Sequence, residues 1–279
     1  MKYGIFGGTF DPFTPAHYEM VVKCLNSGEV DKVIVLPTVV DYYRKDKTSL
    51  FSVEQRKFII ENWFADVDRV IDGTKDVILD FYEYNVILKC PEHEVKNRRY
   101  LHMLETVIST YGKYNEYFTI IGGDSLEKFQ TWYMWQDILK LSKIIAFSRG
   151  SSIIDLIGNP ISCTILTIDN KLSAMSASGI RDHLLSATEG MGMGPNGTPY
   201  EVYMSEIRDY LKTGKTYLDH EAERHDVLDA FEKMKQAAYD SSLKVKEDKL
   251  MKIANVLQDA YKDVECKYSL VEDIIAGKI

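Results

Sequence analysis

Three stretches of the chain gather residue types suited to holding a small ligand, the first two of them phosphates. Residues 4–17 read GIFGGTFDPFTPAH. A short apolar strand runs into Gly7-Gly8, and a helical pattern begins around Ala16. Paired glycines let backbone N–H groups approach an anion, and a helix N-terminus behind them adds the positive end of its dipole. Thr14 and His17 lie three apart at the helix entrance, so both can point towards one bound anion, and Asp11-Pro12 fixes the turn that leads there. Residues 173–181 read SAMSASGIR before a helical DHLL. Ser176 and Ser178 can cap that helix, and Arg181 sits one turn in, within reach of phosphate oxygens. Residues 120–139 form the third stretch, IIGGDSLEKFQTWYMWQDIL. Its strand ends in Gly122-Gly123, and Asp124 follows at the carboxyl edge of a sheet, where open α/β folds bind ligands. Each stretch alone has a plainer reading: a glycine turn with a capping His17, a serine cap, or Trp132 and Trp135 as core aromatics.

The elements that must position these residues can be read from apolar patterning. Strand-length runs recur at Lys2–Phe6, Lys32–Pro37, Phe118–Gly122, Ile144–Phe147 and Ile161–Ile168. Helical spacing fills the intervals, at Tyr18–Leu25, Val53–Trp63 and Tyr100–Tyr111, and continues through Arg181–Leu185 and Tyr200–Leu211. Strands alternating with helices predict βαβ units and a buried parallel sheet. The character changes near Asp219. From Glu221 to Val264 the chain is charged and helical in pattern, with one apolar stripe at Leu228, Phe231 and Met234 and another at Leu250, Ile253, Leu257 and Ala260. The expected division is an α/β domain over 1–218 and a helical extension over 219–279.

Composition bounds the function. With 279 residues, 45% of them hydrophobic and 27% charged, the chain can bury a full core. A formal net charge of −8 argues against a nucleic-acid or membrane-surface binder, which needs a basic face. It leaves room for a small anionic substrate held by a few cations and Mg²⁺. Cys24, Cys90, Cys163 and Cys266 lie far apart without a CxxC pair and read as reduced thiols, so no metal site is expected. Met1–Phe6 is too soon broken by glycine for a signal peptide, and no run reaches membrane-span length, so the expected location is the cytoplasm.

The run GGTFDPFTPAH resembles the GGTFDPxHxGH signature of the HxGH/TxGH nucleotidylyltransferases, α/β enzymes with a Rossmann-like domain. Thr14 takes the first His position, as the threonine class of that family allows, and Ala16 stands where glycine is usual. SAMSASGIR resembles the family's second signature, ISxTxxIR or ISSSxIR. The run GGDSLxxFxTWYxWxxIL looks like the nicotinate (or nicotinamide) mononucleotide adenylyltransferase branch, and residues 199–217 resemble its closing PxxVxxYIxxxxLY. The likeness therefore spans about 1–218.

What the resemblance implies is adenylyl transfer from ATP to nicotinate or nicotinamide mononucleotide, with release of pyrophosphate. The acceptor phosphate attacks the α-phosphorus in line, and positioning with charge stabilisation is the enzyme's main work. His17, Thr14 and Arg181 are the implied catalytic groups, with His17 helping the transition state. Gly7, Gly8, Thr9, Phe10, Ser176 and Ser178 would surround ATP, and Asp124 would bond its ribose. Trp132 would stack on the pyridine ring beside Tyr133. The family's basic loop falls in DYYRKDKTSLFSVEQR, which lacks the usual PPHK; Arg44, Lys45 or Lys47 would supply its cation and Arg56 its helix arginine. Mg²⁺ would ride mainly on substrate phosphates and water.

The competing enzymes are phosphopantetheine adenylyltransferase or a cytidylyltransferase, which share GTFDPFT but not TWYxW. A non-catalytic nucleotide sensor is the alternative outside enzymes. Gly192–Gly197 matches GxGxxG but follows no strand and contains Pro195. Thr213-Gly214-Lys215-Thr216 has Asp209 where a P-loop needs its first glycine. His220 and His225 lie five apart and face about 140° away from each other on a helix. A homo-oligomer formed through the C-terminal helices is a further expectation.

Overall fold

The structure, a computed structural model, describes residues 1–39, 49–65, 76–89, 99–148, 160–168, 172, 175–189 and 198–240. Two compact units divide the chain, Met1–Thr216 and Tyr217–Ile279. In the second, the described part is one long helix, Tyr217–Asp240, on which Leu228 is 40% exposed. The expected stripe over 250–260 lies outside the described residues, as do Cys90, Cys266 and the glycine run at 192–197.

The first unit is built on six parallel strands: β1 (Lys2–Gly8), β2 (Lys32–Pro37), β3 (Val77–Leu79), β4 (Glu116–Gly122), β5 (Lys143–Ser148) and β6 (Cys163–Thr167). Their order is β3-β2-β1-β4-β5-β6. The inner four carry unbroken apolar runs because helices cover both faces, as a doubly wound parallel sheet requires. The edge strands β3 and β6 are only half-buried. Strand β3 and the short helix after it, Tyr82–Lys89, escape the sequence reading because three residues are too few to show a period.

Helix starts carry recognisable chemistry. Helix α1 (Pro15–Asn26) opens with Thr14 as N-cap and Pro15 at its first position. Helix α2 (Val53–Trp63) opens with a Ser52/Gln55 capping box. Helix α3 is Tyr82–Lys89, and α4 (Tyr100–Tyr111) crosses back to the middle of the sheet. Helix α5 (Gly123–Glu127) leaves β4, a 3-10 turn covers Phe129–Thr131, and α6 (Trp135–Leu141) precedes β5. Helix α7 (Ala177–Glu189) starts four residues before the expected Arg181, since Ser176 accepts the Gly179 N–H at 3.0 Å and caps it there. Helix α8 (Pro199–Thr213) has a Thr198/Glu201 capping box and ends at Gly214, whose φ of 73° suits glycine. That left-handed stop gives TGKT its structural role: it is a helix terminus.

The strand order reverses between β1 and β4. Helices leaving these strands diverge to opposite faces, so a crevice must open beyond Gly8 and Gly122. One face of the sheet packs Ile5, Ile34, Leu36, Leu104, Ile121 and Phe129 into a core. The other face is aromatic: Phe13 touches Trp63 and Phe64 with ring centroids 6.3 and 5.5 Å away, and Tyr18 packs on both.

Candidate functional site

A cleft of about 400 Å³ lies at that reversal point. The loop after β1 forms its floor, and that loop is held from behind by its carbonyls. Gly8 O accepts the Thr38 N–H at 2.8 Å. Thr9 O accepts from Arg56 Nη1 at 2.9 Å. Asp11 O accepts from Arg181 Nη1. Phe13 O accepts both Trp63 Nε1, at 3.1 Å, and the Tyr203 hydroxyl. Burial holds the Tyr203 phenol well above its ordinary range, which keeps its proton on that bond. In a trans peptide the C=O and N–H point opposite ways. Anchoring the Gly8 and Thr9 carbonyls at the back therefore turns the Thr9 and Phe10 N–H groups forwards.

The glycines serve packing as much as approach. A Cβ on Gly8 would lie 2.8 Å from the Phe10 ring, and one on Gly122 would lie 2.7 Å from Asp124 Oδ1. Phe10 itself adopts φ 45°, a region costing about 1–3 kcal/mol for such a residue. Its ring offsets that cost by edge contacts with Phe6, Phe13 and His17 at 5.2, 5.0 and 5.1 Å.

Thr14 and His17 interlock at the head of α1. The Thr14 N–H donates to His17 Nδ1 at 3.0 Å, and the His17 N–H donates to Thr14 Oγ1 at 3.3 Å. Because Nδ1 must offer its lone pair to a backbone N–H, the neutral ring carries its proton on Nε2. The capping pair thus fixes both the tautomer and the orientation of a donor. Across the cleft, Arg181 Nη2 donates to Ser178 Oγ at 2.9 Å while Nη1 holds the Asp11 carbonyl. The two motifs, far apart in sequence, are joined directly.

Gly7, Gly8, Thr9, Phe10, Thr14, Ala16, His17, Asp124, Trp132 and Arg181 all line this one cleft. Ser176 and Ser178 stand behind it, one capping α7 and the other holding Arg181. Trp132 is half-buried, 5.1 Å from the rings of both Tyr100 and Phe129, and lines the cleft. Tyr100 is fixed in turn by its hydroxyl, which donates to Thr119 Oγ1 at 2.9 Å. Trp135 packs on the core. Tyr133 points away from the cleft: it is 48% exposed and faces His102 and Arg99 at 5.9 and 6.0 Å. Lys45, with Arg44 and Lys47, lies outside the described residues.

Arg56 is fully buried and does not reach the cleft. Besides Thr9 O it donates to Thr38 O at 3.2 Å and Val39 O at 2.9 Å, fastening the loops after β1 and β2 together. Its guanidinium also lies 5.3 Å from the Tyr84 ring. Two features of the site were not legible. The apolar end of the cleft, with Ile120, Phe147, Ile168 and Met175, is a product of strand order. The clamp of Trp63 and Tyr203 on Phe13 involves ordinary helix residues with no motif around them.

Among the described residues, no group of three His, Cys, Asp or Glu side chains is placed to hold a metal ion, and no helix is long and apolar enough to cross a membrane. Residues 5–183 match the family described as cytidylyltransferase-like. A probable nicotinate-nucleotide adenylyltransferase of Fusobacterium nucleatum is 27% identical over 197 residues, which cover 69% of this chain and 92% of that protein. A probable nicotinate-nucleotide adenylyltransferase of Campylobacter jejuni is 28% identical over 150 residues, 53% of this chain and 70% of that one. The nicotinic acid mononucleotide adenylyltransferase of Plasmodium falciparum, solved as a complex with NaAD, shares the fold. Its TM-score is 0.54 at 16% identity, covering 74% of this chain and 97% of that one.

Proposed function

From the chain's membership of the cytidylyltransferase-like family, we propose that it transfers the adenylyl group of ATP to nicotinate mononucleotide, forming the dinucleotide and pyrophosphate in NAD synthesis. One observation carries this reading. A single cleft brings together His17, Thr14, Arg181 and Asp124 with Trp132. Relatives named for this reaction match this chain over most of their length.

In the proposed reaction His17 Nε2–H and the forward-facing N–H groups of the loop stabilise charge on the transferring phosphoryl group. Arg181 stabilises the departing pyrophosphate. Asp124 bonds the ribose, and Trp132 offers its face to the pyridine ring. The mononucleotide's phosphate is the nucleophile, so the protein need only align it, exclude water and match charge. Mg²⁺ enters as MgATP. Asp11 and Asp124 are the carboxylates of the described wall, and Asp11 already accepts two backbone N–H groups; Mg²⁺ would be held mainly through substrate phosphates and water, and would offset their charge. The chemistry is assigned to residues 1–218, with 219–279 as a helical extension that forms a contact between copies, and the protein is assigned to the cytoplasm.

Pyrophosphate release with ATP and an acceptor panel tests the reading. Nicotinate mononucleotide should be used at least tenfold better than phosphopantetheine. A preference for phosphopantetheine, or for CTP over ATP, would transfer the assignment to those enzymes. ATP binding without turnover of any acceptor would make the chain a sensor.

A further inference from the structure

We propose that Asp11 is a positioning residue that acts through Arg181, aiming its guanidinium along the cleft without closing a two-point fork on it. The inference rests on the reaction proposed above. Asp11 is 6% exposed and touches three parts of the chain. Its Oδ1 accepts the Phe51 N–H at 3.1 Å, and its Oδ2 accepts the Leu50 N–H at 3.0 Å. Both donors lie where the chain enters α2. Its main-chain carbonyl accepts Arg181 Nη1.

The distance between the charges is informative. A carboxylate free to turn meets arginine as a two-point fork with N···O distances of about 2.7–2.9 Å. Here Arg181 Nη1 stands 3.9 Å from Asp11 Oδ2. Each carboxylate oxygen accepts one backbone N–H, which turns the group towards residues 50 and 51 and leaves no fork closed on Arg181. Arg181 is held instead by two neutral acceptors, the Asp11 carbonyl and Ser178 Oγ. A guanidinium carries five N–H donors, so after those two bonds it keeps donors for an anion. The same residue ties Arg181, through its carbonyl, to residues 50 and 51, through its carboxylate, so the two sides of the cleft are set by one amino acid.

Replacing Asp11 by asparagine keeps the shape, removes a negative charge beside the anion site, and deprives one backbone N–H of its acceptor. Removing the charge favours anion binding; loosening the aim slows turnover. A residue that merely supported the fold would weaken binding and turnover together. Steady-state rates with MgATP and nicotinate mononucleotide should be measured for wild type, Asp11→Asn, Arg181→Ala, the double variant and Arg181→Lys. Calorimetric binding of inorganic pyrophosphate to each needs no acceptor. Asp11→Asn should lower kcat by about 10- to 100-fold, the scale of a misplaced reacting group, with the ATP KM and pyrophosphate affinity not weakened. In the Arg181→Ala background the same change should cost less than about twofold, the sign of a shared pathway.

Arg181→Lys covers the case of an Asp11→Asn protein that does not fold. It keeps the charge but cannot span both acceptors, so it should bind pyrophosphate and turn over slowly. Fully multiplicative losses in the double variant, loss of pyrophosphate binding in Asp11→Asn, or a wild-type kcat in Arg181→Lys would overturn the proposal. A wild-type protein that binds pyrophosphate but turns over no acceptor would instead overturn the reaction, with the binding comparison still readable.

Discussion

Replacing Trp132 by alanine tests the acceptor site most directly, because the structure divides the loss into two measurable parts. The indole packs at a tilt on Tyr100 and Phe129, each 5.1 Å away between ring centres. Full truncation of a buried tryptophan costs about 3–5 kcal/mol, so a half-buried one should cost about 2 kcal/mol of stability. For a domain of this size that lowers Tm by roughly 4–8 °C. The side chain also lines the cleft, where stacking on a flat ring would contribute about 1–3 kcal/mol. At tenfold per 1.4 kcal/mol, the KM for nicotinate mononucleotide should rise by roughly 5- to 150-fold. The ATP KM should stay within about threefold, since Asp124 and the phosphate-binding loop belong to other elements. The assay is pyrophosphate release with each substrate varied in turn, below the new Tm. A raised ATP KM with unchanged acceptor use would refute the stacking role and return Trp132 to the core.

The remaining predictions concern the clamp, the catalytic donor, the extension and pH. His17→Ala should lower kcat by about 10²–10³-fold with little change in Tm, the scale of a lost transition-state donor, and a near-normal kcat would remove His17 from the mechanism. Tyr203→Phe should cost only about 0.5–1.5 kcal/mol, because Trp63 still serves the Phe13 carbonyl. Adding Trp63→Phe leaves that carbonyl without either donor, so denaturant unfolding should show a cost greater than the sum of the two singles; simple additivity would contradict the shared acceptor. A protein ending at residue 218 should retain adenylyl transfer, and a folded but inactive truncation would place part of the site in the extension. Burial pushes the Cys24 thiol and the Tyr18 and Tyr84 phenols up to about 12. The unfolded chain releases these protons from about pH 8.5–10, so it binds fewer protons than the native state above that range and stability must fall towards pH 12. A flat stability curve between pH 9 and 12 would show that those groups are not held protonated.

Five of the six strands could be read from the sequence, as could the two motifs and Trp132 that contribute to one cleft, because each is a local pattern. Lys32–Pro37 and Val53–Trp63 are continuous runs whose period survives without knowledge of neighbours. What stayed hidden is what depends on proximity across the fold. Gly7 and Gly8 suggest close approach to phosphate, yet the space at Gly8 is taken by the Phe10 ring. Ser178 suggests a phosphate ligand, and its hydroxyl holds Arg181. Tyr133 shares its tripeptide with Trp132, but only Trp132 lines the cleft, while Tyr133 is exposed beside His102. Asp11 sits inside the first motif, and only the folded structure shows it meeting Leu50, Phe51 and Arg181.

The carbonyls behind the phosphate loop also set when the chain becomes competent during synthesis. Arg56, Trp63, Arg181 and Tyr203 hold a segment, residues 9–13, that leaves the ribosome before any of them. The last of these donors lies 190 positions after the carbonyl it meets. A nascent chain can form β1, β2 and α2 early, since those contacts are closer in sequence. Its loop cannot take final shape until α7 and α8 have emerged and docked. Nucleotide capture is therefore deferred until the first unit is nearly complete, and a fragment ending before α8 should fold its sheet yet fail to retain ATP.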